Sequence, residues 1–134
     1  MALSPDMVAR GRVNQWLRSR PNLSCDQWFY RYWSPPAHPQ ALPKPLIDFV
    51  YAQLQDYSGL DIGRVKPTDN LVEDLAFPAV CWFDWGITLC EDFYETFDLD
   101  ISEHFDETQF FTFADLIGFL NQQLEQVDGN KVAG

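Results

Sequence analysis

Between Leu71 and Ile101 the chain reads LVEDLAFPAVCWFDWGITLCEDFYETFDLDI. An acidic, turn-like lead-in, Glu73-Asp74-Leu75, runs into apolar residues at helical spacing, and the periodicity predicts a helix from about Cys81 or Trp82. Phe83, Ile87, Cys90, Tyr94 and Phe97 fall on one stripe of that helix. Trp82, Trp85, Leu89 and Phe93 fall on a second stripe beside it. A helix in a small domain buries one face, so one stripe is in excess and needs cover from elsewhere in the chain or from a partner. Gly86 lies between the stripes, where glycine costs about 1 kcal/mol relative to alanine. Its place there predicts close approach of another helix.

The flanking segments are also helical. Pro45 is suited to a first helical turn, Ile47, Val50, Tyr51 and Leu54 form a buried stripe, and Gly59 is a natural stop. From Leu60 to Val80 the helical period is lost and Gly63, Pro67, Asp69, Asn70 and Pro78 mark turns. So long a loop in a small domain must be held by its own apolar residues, here Leu60, Ile62, Val65, Leu71 and Leu75. After Ile101, Ser102 predicts the cap of a short helix over Glu103–Phe110. A last helix starts at Thr112, with Thr112 and Asp115 as an approximate capping box. Phe113, Leu116, Ile117, Leu120 and Leu124 face inward along it, and Gly129 is its expected end.

The N-terminal third differs. Ser4-Pro5-Asp6 predicts a helix start, with Ala9, Val13, Trp16 and Leu17 on one face and Pro21 as the stop. Ser24 and Gln27 form a capping box for a second helix that puts Cys25, Trp28, Phe29 and Tyr32 together. Ser34 to Pro45 holds five prolines and predicts an extended linker. Charge separates the same parts. Residues 1–44 carry six basic side chains against two acidic ones, a net of +4, and the remainder carries three against eighteen, a net of −15. The expected organisation is a basic, aromatic helical extension with its linker (1–44), an acidic helical domain (45–128) and a loose tail (129–134). The arm is expected to pack across the central helix, burying Trp16, Trp28 and Trp33 and setting Arg10, Arg12 and Arg18 beside Glu91, Asp92 and Glu95.

The order helix, long loop, long helix, short helix, helix resembles the acyl carrier proteins over about residues 46–126. Val65-Lys66-Pro67 and Leu71-Val72-Glu73-Asp74-Leu75 in the loop carry the likeness, with Phe97-Asp98-Leu99-Asp100-Ile101 and Thr112-Phe113-Ala114-Asp115-Leu116 after it. The resemblance implies an all-α, acyl-carrier-like four-helix bundle whose second helix is read by partner proteins. Carriers also present an Asp-Ser-Leu at the start of that helix, and its serine takes the phosphopantetheine arm. Counting forward from Leu75 puts Ala79 at that place; counting back from Phe97 puts Phe83 there. Neither has a hydroxyl, no serine lies between Ser58 and Ser102, and Thr88 sits mid-helix where its hydroxyl tends to bond the backbone. The chain is thus similar to the bacterial carrier-like proteins of unknown function that lack the serine.

Other chemistries find poor support. Asp98-Leu99-Asp100-Ile101-Ser102 suggests a calcium loop, but Glu103 and Gln109 stand where glycine and glutamate are needed. Two histidines, His38 and His104, and three cysteines in no ligand spacing do not make a zinc site or a catalytic triad. The odd cysteine count without a CxxC pair points to a reducing, cytoplasmic setting. No apolar run is long enough to span a bilayer. The acidic domain repels nucleic acid. The expected function is non-enzymatic protein binding, without cofactor or metal, to a partner with a basic or apolar surface. Trp82, Trp85, Glu91, Asp92 and Glu95 are the expected contact residues. Two alternatives remain: a true carrier modified at an unexpected hydroxyl, and an acidic inhibitor or immunity-type protein.

Overall fold

A computed structural model defines the backbone of residues 4–133 and the side chains of residues 4–127. Among the described residues the protein is all-helical, with six α-helices and, in place of any sheet, one isolated antiparallel pairing between Asn70 and Thr112. None of these helices is long and apolar enough to cross a membrane.

Helix α3, Lys44–Ser58, is the axis. It starts with proline in its first turn and stops at Gly59, whose φ of 68° is left-handed. Leu46, Ile47, Val50 and Leu54 are fully buried along it. The next segment behaves as its apolar residues predict: Leu60, Ile62, Val65, Leu71 and Leu75 are all buried. A short 3-10 turn at Ile62–Arg64 gives it shape. Leu71 N–H donates to Phe111 O at 2.8 Å, tying the loop to the start of the last helix.

The central helix is broken in two. A four-residue helix, α4, covers Phe77–Val80, and α5 covers Trp85–Phe97. Pro78, expected in a turn, lies in the first turn of α4, where its missing N–H loses nothing. Cys81 is extended, so the helical phase restarts at Trp85 rather than at Cys81 or Trp82. Within α5 the second stripe is the inner one. Trp85, Leu89 and Phe93 are buried, with Phe93 set edge-on to Phe49 of α3 at 5.7 Å between ring centres. Phe83, Ile87 and Tyr94 face outward. Asp98 ends α5 in a left-handed conformation, φ 56°, which aspartate tolerates better than most residues.

Gly86 admits a ring, not a helix. A Cβ there would lie 2.9 Å from Phe105 Cε1 and 3.1 Å from Glu107 Oε2. Gly86→Val should therefore lower stability by about 1–3 kcal/mol through overpacking, read as a lower urea midpoint at unchanged slope. Phe105 belongs to a segment where the sequence predicts a helix over Glu103–Phe110, and only a 3-10 turn, Glu107–Gln109, forms. Ser102 does not cap it. Asp100 accepts from the Ser102 N–H and hydroxyl, and Asp106 does the same for Thr108, so two local turns use the groups a helix needs.

Helix α6, Phe113–Ala133, opens as expected: Thr112 Oγ1 accepts from Asp115 N–H at 3.2 Å while Asp115 accepts from Thr112 N–H at 3.0 Å. Phe113, Leu116, Ile117 and Leu120 are fully buried and Leu124 partly so. The helix passes through Gly129, contrary to the expected stop there; a glycine inside a helix costs only about 1 kcal/mol.

In the N-terminal segment, Asp6 rather than Ser4 caps α1, Met7–Leu17, by accepting from the N–H groups of Val8 and Ala9. Ser24 and Gln27 make the reciprocal box of α2, Cys25–Tyr32. The proline-rich stretch is not an extended spacer: it turns back so that Leu42 N–H donates to Trp33 O at 3.0 Å. Burial of Trp33 and Leu42 drives that reversal. Residues Val13, Leu17, Trp28, Phe29, Trp33 and Leu42 join the same apolar core as α3, α5 and α6.

The arm does not cross the acidic face of α5. It lies against α4 and the end of α3, because free carbonyls there accept its donors. Asp6 N–H donates to Ala79 O at 2.9 Å. Arg10 donates to Val80 O and Tyr57 O at 2.7 and 3.1 Å, and Asn14 to Gly59 O at 3.0 Å. Arg20 grips buried Asp69 with two bonds of 2.6 and 3.0 Å. Arg12 and Arg18 are exposed, and Trp16, expected inside, stays half-exposed with the Arg20 guanidinium 4.5 Å above its ring.

Candidate functional site

The outer side of α5 and the 81–84 break carry four exposed large apolar side chains. Trp82, Phe83, Ile87 and Tyr94 are each more than half exposed. Helical geometry explains the last two. Ile87 and Tyr94 are seven residues apart and lie over one another, opposite Leu89 and Phe93. Trp82 and Phe83 sit on the break itself, where no helix partner covers them.

Three adjoining concavities follow this side. A groove of about 620 Å³ runs past Ile87, Cys90, Glu91, Tyr94, Glu95 and Asp100. A pocket of about 290 Å³ lies between Phe77, Trp82, Phe83, Trp85, Glu107 and Phe110. A shallower hollow of about 290 Å³ joins them through Phe83, Gly86, Ile87 and Phe105. Among the described residues no lysine or arginine lines any of the three, whereas Asp84, Glu91, Glu95, Asp100, Asp106 and Glu107 do.

Of the contact residues expected from sequence, Trp82, Glu91 and Glu95 are on this face. Trp85 is buried beneath it, edge-on to Phe77 and Phe105 at 5.4 and 6.0 Å, and forms the pocket floor. Asp92 turns toward α3 and accepts a hydrogen bond from the Tyr57 hydroxyl. Burial and then that carboxylate push the Tyr57 phenol well above its usual range, so it remains a donor. Sequence reasoning misses Phe83, Ile87, Tyr94, Asp100 and Glu107 as site residues. Phe83, Ile87 and Tyr94 are legible as a stripe, but its outward direction is set by the contact of Phe93 with Phe49, on a different helix.

The acids differ in setting. Asp100 and Asp106 are held below the ordinary carboxylate range by the Ser102 and Thr108 hydroxyls. Glu107 is raised, first by burial and then by Asp106 beside it. Its Oε2 lies against Gly86, in the first turn of α5. It forms no ion pair among the described residues.

Nucleophiles are poorly served. Burial pushes the Cys81 thiol up to about 12 and the Cys90 thiol up to about 11. Burial and the hydrogen bond to Asp48 take Cys25 up to about 11. All three are free thiols that stay protonated near neutral pH. Thr88 Oγ1 donates back to Asp84 O at 3.4 Å. Ala79 gives its carbonyl to the arm and Phe83 is an exposed ring. Among the described residues no group of three or more histidine, cysteine or acidic side chains is placed to hold a metal ion. No family model, curated protein or solved structure matches this chain.

Proposed function

We propose that this chain is a carrier-like helical domain that works by binding another protein, with no prosthetic group and no reaction of its own. One observation carries the reading: Trp82, Phe83, Ile87 and Tyr94 stand exposed around concavities whose only charges, among the described residues, are negative. A basic, amphipathic surface of a partner protein suits such a face. Its apolar side chains would cover the rings, and its cations would meet Glu91 and Glu95. The order α3, long loop, α4–α5, short turn, α6 supports a bundle of the acyl-carrier kind. The absence of a hydroxyl at Ala79 and Phe83, and the hydrogen bond that Ala79 O accepts from the arm, support a carrier-like domain that has no thioester to carry.

Affinity capture with the whole chain, followed by titration of the captured protein, tests the proposal. A stoichiometric basic partner is expected, with affinity that falls as salt rises. Ile87→Arg should weaken it by at least tenfold, as loss of a central apolar contact does, while Gln55→Arg on the exposed surface of α3 should leave it unchanged. Equal affinity for Ile87→Arg and the wild type would place the interface elsewhere. Incubation with coenzyme A and a phosphopantetheinyl transferase should leave the intact mass unaltered; a gain of one pantetheine arm would refute the non-carrier reading.

A further inference from the structure

The pocket beside the 81–84 break has a composition that the rest of the docking face lacks. Half of its lining is aromatic, Phe77, Trp82, Phe83, Trp85 and Phe110, with Leu71, Val72 and Pro78 completing the apolar wall. Its one charged lining residue is Glu107. At about 290 Å³ it is at the small end for a ligand site, for which about 300–1,000 Å³ is usual. A whole helix does not enter it; one side chain does.

An apolar side chain would satisfy the rings and leave Glu107 desolvated against it. That carboxylate is open to solvent, pairs with no cation among the described residues, and has Asp106 next to it and Asp84 across the adjoining hollow. A cation answers both features. Aromatic faces attract it through their quadrupole, and the carboxylate pairs with it. Between the two common cations, a guanidinium fits better, since it stacks flat on indole and phenyl rings while its edge forks onto a carboxylate.

We propose that this pocket receives one arginine side chain of the partner, its guanidinium held between Trp82 and Phe83 and paired with Glu107. The proposal rests on the reading of the α5 face as a docking surface and names its anchor. The other acids of the face then steer, and this pocket selects.

Argininamide is the probe, titrated into the whole protein and followed by the indole N–H resonance of Trp82, assigned by its disappearance in Trp82→Ala. A saturable shift is expected. Glu107→Gln should weaken binding by about tenfold or more, as loss of a charged hydrogen-bond partner does. Trp82→Ala, followed instead by the Phe83 amide, should weaken it comparably. Both side chains are exposed enough for the fold to persist, which circular dichroism verifies. Citrullinamide, the same shape without the charge, should not bind. Equal binding of citrullinamide, or binding indifferent to Glu107→Gln and Trp82→Ala, or no shift at Trp82 at all, would each overturn the arginine anchor. Any of these beside a captured partner sensitive to Ile87→Arg would leave the docking face standing without this pocket.

Discussion

A chain beginning at Lys44 will not reach the native state; it should be recovered as an aggregate or as a compact form without fixed tertiary packing. Among the described residues six apolar ones before Lys44 are buried: Val13, Leu17, Trp28, Phe29, Trp33 and Leu42. Each such burial is worth about 1.5–3 kcal/mol, so together they supply about 9–18 kcal/mol, comparable to the whole stability of an ordinary domain, about 5–15 kcal/mol. The loss is not confined to the arm. Trp28 packs edge-on against Tyr51 and Phe113, at 5.4 and 5.9 Å, and its indole N–H donates to Val65 O at 2.9 Å. Removing it opens the side of α3 and the start of α6. Near-ultraviolet circular dichroism and binding of an apolar dye are the measurements. A monomeric fragment with sharp tertiary signals and cooperative unfolding would contradict the shared core.

The second large effect is expected at Asp69. Its carboxylate is almost fully buried and takes both arms of the Arg20 guanidinium, at 2.6 and 3.0 Å, and also the Lys66 N–H at 2.8 Å. Arg20 is itself mostly covered and has one further bond, to Arg64 O at 3.1 Å. Asp69→Ala leaves a buried cation without its counterion and should lower stability by about 3–5 kcal/mol, seen as a lower urea midpoint. Asp69→Asn keeps an acceptor for Lys66 and should fall between. The double variant Arg20→Met with Asp69→Leu removes both charges and should recover part of the loss, because the two sites are in contact and not additive. Asp69→Ala within about 0.5 kcal/mol of the wild type would mean that the pair carries no weight.

What can be read from the chain alone follows the range of the forces involved. Local signals hold where they act alone. Gly59 stops α3, Ser24 with Gln27 and Thr112 with Asp115 cap α2 and α6, and the loop residues from Leu60 to Leu75 are buried as a set. Signals in competition fail. Ser102 loses to Asp100, which draws its N–H and hydroxyl into a tighter turn. Pro78 reads as a turn residue, yet proline suits the first turn of a helix equally well. The candidate site is half visible. Two stripes on one helix announce surplus apolar surface, but the non-helical chain at 81–84 changes their phase, and only contact with Phe49 decides which one is hidden. For the same reason Trp82 stays outside and Trp85 becomes the floor of a pocket. Glu107 carries no local mark; its place depends on Gly86 letting the Phe105 ring and the Glu107 carboxylate come close.

The arm's anchors lie far down the chain. Arg10 reaches acceptors 47 and 70 residues on, and Arg20 reaches one 49 residues on. On a ribosome, where the chain emerges from its amino end, α1 and α2 are out before Tyr57, Asp69 or Val80 emerge. Trp28 and Trp33 then wait in water, and the arm is made before the groups that seat it. Nascent chains halted before Val80 should accordingly present those indoles to chaperones, and chains released beyond α6 should not.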